Sequence, residues 1–401
     1  MGAVLILYFA ELVFPPITVL ANSGLVCIIC FFLWFFLSLL QDRNFYRYAT
    51  PKILIPFVFY FVSAFMPYLF GNSVIAHRYM AMALVPLGYL IYTFYEAHGE
   101  RKILEVILKI VLVLSTITAV VTLSALIKNA YISRSIKSSG EVSKTLATKG
   151  IGGYSFIYFI SIVTIVLIHV AVVEECKKKK ICFAVLAGLC VLLIIKSSYM
   201  TALLVLAMEI LVYLFVGSKR ESKRNGLIFV AFVFAIGVAV YLIITFQDKI
   251  MSLLPPRIVQ IFTTSNSNAI SAILAEFTVD RFPRLQESLE SFMKYPIAGL
   301  VVQGTLSYEA GYLTGFGQHS YIFDTFALYG FAIGICALYS CTVPFHLKER
   351  RAGDYGELTW AVFIGAIIIY SLNNATESMG LVVGIIYPFV RDAYRLEKLD
   401  E

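Results

Sequence analysis

The chain has 401 residues, of which 60% are hydrophobic, 15% aromatic and only 14% charged, with a net charge of +7 and a mean hydropathy of +0.84. A soluble domain carries roughly 25% charged residues, and the apolar residues here run in blocks as long as a bilayer is thick. These features exclude a soluble globular protein. They exclude a membrane barrel too, which would show short alternating segments, and leave an all-α, polytopic integral membrane protein.

About twelve spans are predicted from length and hydropathy. The first, 3–20, carries Pro15-Pro16, which kink it; with no basic residues before it, it reads as a first span rather than a cleaved signal peptide. The second is 22–40, followed by the basic segment QDRNFYRYATPK. Spans three and four, 53–70 and 79–95, are split by GNSVIAHR, and the fifth is 103–127. The polar loop KNAYISRSIKSSGEVSKTLATKG leads to the sixth, 151–173. After EECKKKK come the seventh and eighth, 181–195 and 200–217, joined tightly through KSSYMT, and then the ninth, 226–246. The longest loop, 247–318, precedes the tenth span, 319–345. The eleventh, 358–372, the turn NNATES and a short twelfth ending near Val390 complete the chain. The organisation is therefore spans 1–9 over 1–246, a large loop with an amphipathic helix over 247–318, and spans 10–12 with a tail over 319–401.

Lys and Arg in the loops set the orientation. If the 41–52 loop is cytoplasmic and every span crosses once, 96–102, 174–180, 218–225, 347–354 and the tail after Arg391 are cytoplasmic too. These six segments hold more than half of the 32 Lys and Arg. Both termini are then cytoplasmic, and the loops 128–149 and 247–318 face outward. Topology accounts for the basic balance, so nucleic acid is not a predicted partner. No G-x-x-x-x-G-K-[ST] phosphate loop is present, and the outer face has no ATP, so chemistry there needs an already activated donor. The seven cysteines form no disulfide framework, and Cys27-x-x-Cys30 lacks the further ligands of a zinc site.

The polar residues that need a reason gather late in the chain. Arg281 and Arg284 bracket Pro283 in the first turn of a predicted helix, with Leu285, Leu289, Phe292 and Met293 on one face and Pro296 as its stop. They either anchor an interfacial helix or grip a phosphate. His319 follows Gly311, Gly315 and Gly317 and opens a span; it either caps a helix or accepts a proton. Lys196, at the tight outer hairpin, either snorkels or meets a phosphate. Asp324, inside the tenth span, and Glu377, in the last outer turn, are candidates because carboxylates at membrane depth are costly; Asp324 reads equally as a structural hydrogen-bonding group. His77-Arg78, on the outer side, is a secondary candidate.

An outer arginine, an amphipathic helix, P-x-x-G, further glycines, a histidine at a span start and G-x-x-x-G soon after together resemble the O-antigen polymerase and O-antigen ligase superfamily. The matching pieces here are Arg281, Pro296-Ile297-Ala298-Gly299, Gly317-Gln318-His319-Ser320 and Gly330 to Gly334, with Lys196 to Thr201 similar to the family's serine-and-basic segment. The pattern departs where Ser320 stands for the common asparagine, where no tryptophan follows Arg281, and where a lysine precedes the serines in place of an arginine after them. The resemblance implies a metal-independent, cofactor-free GT-C-like glycosyltransferase of a bacterial cytoplasmic membrane, active on its outer leaflet. Its donor is a glycan on undecaprenyl pyrophosphate and its acceptor a sugar hydroxyl. On a lipid-linked repeat unit that makes a polymerase of O-antigen, capsule or exopolysaccharide; on lipid A-core it makes a ligase. A chain-length regulator is a further partner compatible with the polymerase. His319 and Arg281 take the catalytic roles in this reading, with Arg284, Lys196, Arg78, Gly317, Ser320, Asp324 and Glu377 at the substrate. A flippase or transporter, from a different class, predicts ionisable residues near mid-bilayer and no long outer loop.

Overall fold

A computed structural model of the chain describes residues 1–20, 23–48, 50–70, 81–136, 141–218, 282–304, 306, 308–309, 312–345, 356–374 and 376–397. The predicted ninth span, 226–246, lies outside the described residues. Apart from a two-residue antiparallel ladder, Tyr308–Glu309 with Tyr312–Leu313, the regular structure of the described residues is helical.

The first predicted span is two helices, α1 (Gly2–Val13) and α2 (Pro15–Leu20), because the proline pair starts a new helix rather than continuing the old one. Then follow α3 (Ser23–Gln41), α4 (Pro51–Leu69), α5 (Ala81–Ala97) and α6 (Arg101–Lys128). The loop after α6 holds a short 3-10 turn, Ile132–Ser135, and a small helix, α7 (Glu141–Thr148), neither of which apolar periodicity announces. Next come α8 (Tyr154–Val173), α9 (Lys177–Ser197) and α10 (Met200–Ser218). Among the described residues, five helices are long and apolar enough to cross a membrane: Arg101–Lys128, Tyr154–Val173, Lys177–Ser197, Met200–Gly217 and Tyr321–Phe345. They make this a helical membrane-embedded protein.

Burial differs sharply among them. α8 is apolar all round, and 83% of its span is buried, against 33% for α6 and 28% for α9. A helix with no polar face belongs at the centre of a bundle, and α8 packs against α9, α10 and α14 (Gly356–Leu372). The C-terminal span is interrupted: α15 (Met379–Leu381), a π turn over Val382–Ile386, and α16 (Tyr387–Glu397). It lies so close to α5 that a Cβ on Gly88 would overlap the Gly380 carbonyl. Small residues at such a crossing let backbones approach, which is how helices associate where lipid removes the hydrophobic drive.

Candidate functional site

Three further elements build the late polar segment: α11 (Phe282–Lys294), α12 (Gly299–Gln303) and α13 (Tyr321–Thr342). α11 begins beside Pro283 and ends just before Pro296, as its sequence predicts. Its inward edge is not the apolar stripe, however. Ser288 is 0% exposed, whereas Leu289 and Met293 are 48% and 70% exposed. The serines face the protein, the Phe292 ring packs on Phe326 with centroids 5.3 Å apart, and Leu289 and Met293 face outward, as on a helix lying at a headgroup boundary.

Ser288 is the centre of a clamp. Its hydroxyl donates to Asp324 Oδ1 at 2.7 Å and accepts from the Gly317 N–H at 2.9 Å. The other carboxylate oxygen accepts from the Ser320 N–H at 3.2 Å. One turn on, the Ser291 hydroxyl donates to the Gly315 carbonyl at 2.5 Å. Ser320 caps α13 by accepting from the Phe323 N–H at 3.1 Å, and donates to the Tyr370 carbonyl at 3.3 Å. Gly317 runs so close to Arg284 that a Cβ there would overlap its backbone. Gly317 is thus needed for this close backbone crossing, and the loop is held on one side by α11.

On its other side stands the turn after α14. The Asn374 side chain donates to the Gln318 carbonyl at 2.7 Å, and the Tyr321 N–H donates to the Asn373 carbonyl at 3.0 Å. His319, half-buried, sits between these two anchors. The same turn reaches the start of α8: the Ser155 hydroxyl donates to Glu377, and the Ser378 hydroxyl donates to the Ser155 carbonyl at 3.1 Å. Tyr154 in turn meets Tyr199, with ring centroids 4.6 Å apart, at the α9–α10 hairpin. One polar surface therefore runs from the His319 loop through 373–378 and the start of α8 to the hairpin.

The P-x-x-G and G-x-x-x-G pieces interlock. α13 breaks at Gly330, where φ is 78° and ψ −172°. The Phe331 N–H, which a continuous helix would direct to its own preceding turn, donates instead to the Pro296 carbonyl at 2.7 Å. Gly299, with φ 66°, crosses the backbone of Leu328 and Tyr329, and a Cβ on either glycine would strike main chain. A break in a span needs its freed groups satisfied by protein, and the 296–299 turn supplies that partner.

The structure brings His319, Gly317, Ser320 and Asp324 together and joins Glu377 to them through the turn. Asp324 and Ser320 are wholly buried, and their hydrogen bonds to protein hold the loop that carries His319. Arg284 is exposed on α11, and Lys196 is half-buried in the last turn of α9, beside the hairpin. Arg281 and Arg78 lie outside the described residues. Ser288 and Asn374 were not visible as site residues in the sequence. A serine three residues from another on an amphipathic helix was the available signal for the first. Among the described residues, no three His, Cys, Asp or Glu side chains gather as a metal ion requires.

A second polar cluster gathers where α5, α6 and α16 meet. The Tyr92 hydroxyl donates to Asp392 at 2.6 Å, Arg391 pairs with Asp392 at 2.7 Å, and Arg101 donates to the Phe389 carbonyl at 3.0 Å. Burial works to raise the Asp392 carboxyl, but the Arg391 guanidinium and the Tyr92 hydroxyl outweigh it and hold the group below the usual carboxylate range. Nearby, His98 stands 3.3 Å from Asp42, whose carboxyl the Asn44 N–H holds low.

No protein-family model matches the chain, and no curated protein matches it.

Proposed function

We propose that the chain polymerises lipid-linked glycans, transferring a growing chain from undecaprenyl pyrophosphate to the next repeat unit on the outer leaflet of a bacterial cytoplasmic membrane. In this reading about twelve spans form a GT-C-like scaffold with both termini cytoplasmic. The observation that carries it is the His319 loop, fixed from α11 on one side and from Asn373–Asn374 on the other, at the start of a span. An imidazole on a loop held in this way at headgroup level suits proton transfer to and from a lipid-borne substrate.

The acceptor hydroxyl attacks the anomeric carbon of the donor, and its proton passes to His319. The bond from that carbon to the pyrophosphate oxygen breaks, and the polyprenyl pyrophosphate leaves with the electron pair. Arg281 and Arg284 meet the negative charge that develops on it. The donor's own pyrophosphate linkage supplies the driving force, so no nucleotide is consumed.

The test is the length distribution of surface polysaccharide in a deletion strain complemented with wild type or His319→Ala. Loss of the ladder, with single-repeat glycan retained and the variant present in the membrane, is expected. Long polymer accumulating on undecaprenyl pyrophosphate would show a ligase instead. An unchanged ladder in the deletion strain would remove both readings and favour transport.

A further inference from the structure

The hairpin between α9 and α10 turns on Ser198, whose backbone is left-handed at φ 57°. Glycine is the residue that adopts this conformation freely, so the serine side chain is held there against a backbone preference. Ser198 is 1% exposed, its neighbour Tyr199 3%, and Ser133 of the 3-10 turn 0%. Arg134 lies beside them. Its guanidinium donates to the Ser198 carbonyl and stands over the Tyr199 ring, 5.0 Å from the centroid.

That one hydrogen bond leaves much of the cluster's capacity unused. The Nε of Arg134 and the hydroxyl of Ser198 are buried with no hydrogen-bond partner among the described residues, and the buried hydroxyls of Ser133 and Tyr199 face only each other. A buried polar group left in that state is costly, and clusters of them in native proteins mark a missing ion, water or ligand. The groups acting on the Tyr199 phenol are Tyr154, Ser133, Arg134 and Tyr158, with no carboxylate among them. Burial pushes that phenol up, so it stays a neutral donor. A guanidinium and three buried hydroxyls on neighbouring residues, at the end of two spans and with no ion pair to Arg134 among the described residues, suit an oxyanion at headgroup level.

We propose that Arg134, Ser133, Ser198 and Tyr199 form a phosphate-binding pocket for a phosphate carried by a membrane lipid, on the face that carries the His319 loop. The path between the two is short in contacts: Tyr199 to Tyr154, Ser155 to Glu377, and Asn374 to Gln318. If the polymerase reading holds, the occupant is the pyrophosphate of a lipid-linked glycan. The head group of a bulk phospholipid offers the same chemistry.

The test is calorimetric titration of the full-length protein, in nanodiscs of zwitterionic lipid, with inorganic pyrophosphate. Tyr199→Phe keeps the ring contacts and removes one hydroxyl, and Ser198→Gly removes another while relieving the backbone. Each should bind about three- to tenfold more weakly, and Arg134→Gln about tenfold or more, with unchanged or higher melting temperature for the first two. Should Arg134→Gln fail to fold, the other two carry the test. Wild-type affinity in both Tyr199→Phe and Ser198→Gly, or no saturable binding by wild type, overturns the pocket. Competition separates the sources: displacement by farnesyl pyrophosphate but not by phosphatidylglycerol assigns a polyprenyl donor, and displacement by phosphatidylglycerol assigns a bulk head group. Weakened binding in these variants beside an unchanged ladder in the deletion strain keeps the pocket and removes the polymerase. A His319-dependent ladder with unweakened binding does the reverse.

Discussion

Replacing Gly330 with alanine tests the interlock between α13 and the 296–299 turn. The backbone at φ 78° and ψ −172° lies in a region essentially reserved for glycine, and an L-residue there costs about 1–3 kcal/mol. The new Cβ meets the Ile297 carbonyl carbon at 2.5 Å and the Ala298 nitrogen at 2.9 Å. Because main chain crosses main chain, no side chain can swing away, and overpacking adds about 1–3 kcal/mol. If the crossing opens to relieve the contact, the Phe331 N–H loses the Pro296 carbonyl at a depth with no water to replace it. The loss is then about 2–6 kcal/mol. At about 2 °C per kcal/mol for a chain of this size, the melting temperature falls by roughly 4–12 °C. Gly188→Ala is the control: a Cβ there has no neighbour within 4 Å, and glycine to alanine inside a helix gains about 0.5–1 kcal/mol. The assay is size-exclusion thermostability of the detergent-solubilised proteins. If Gly330→Ala melts with the wild type, the interlock does not hold the span.

Ser288→Ala removes a donor to the buried Asp324 carboxylate and an acceptor for Gly317; a stability loss of about 2–4 kcal/mol is expected, together with a depleted ladder, and wild-type values of both would show that the clamp does not set the His319 loop. Asp392 has a depressed carboxyl, so its contribution is present above the unfolded value and lost as pH falls through the folded one. The wild-type melting temperature should therefore drop below about pH 4, while Asp392→Asn should start lower at pH 7 and lose less in acid; equal acid slopes would deny Asp392 this role. Glu209 is 0% exposed, with neither carboxyl oxygen partnered among the described residues. Glu209→Met keeps the volume and removes an unsatisfied group, so it should raise stability by about 1 kcal/mol or more; a lower melting temperature would show that the carboxyl serves the native state.

Much of the helical framework was legible because a bilayer demands apolar runs of a fixed length, and those runs end at polar loops. The predicted 103–127, 200–217 and 358–372 each fall within two residues of their helix ends. The break at Gly330 was not legible, since a lone glycine in an apolar run reads as ordinary helix, and what breaks it is a carbonyl more than thirty residues earlier. α11 was found by its apolar spacing, yet the residue that docks it is Ser288. Apolar spacing reports which edge avoids water, and in a membrane that edge faces lipid as readily as protein. His319 and Asp324 were singled out by residue type and position. The difference between them, one half-buried at the loop and one wholly buried in a clamp, depends on partners distant in sequence. Arg134 was passed over in a loop with no periodicity, and only the fold brings it to Ser198.

The broken span also bears on how the protein is made. When α13 emerges during synthesis, the segment that must accept its Phe331 N–H has already been made and is waiting near the membrane. Alone in lipid, a helix broken at Gly330 would leave that N–H bare, so the stable form of the isolated span is straight. Bending belongs to the docked state, after Pro296–Gly299 has moved in beside it. Docking in this region thus asks a straight helix to yield to a loop, and that loop is the one that follows α11.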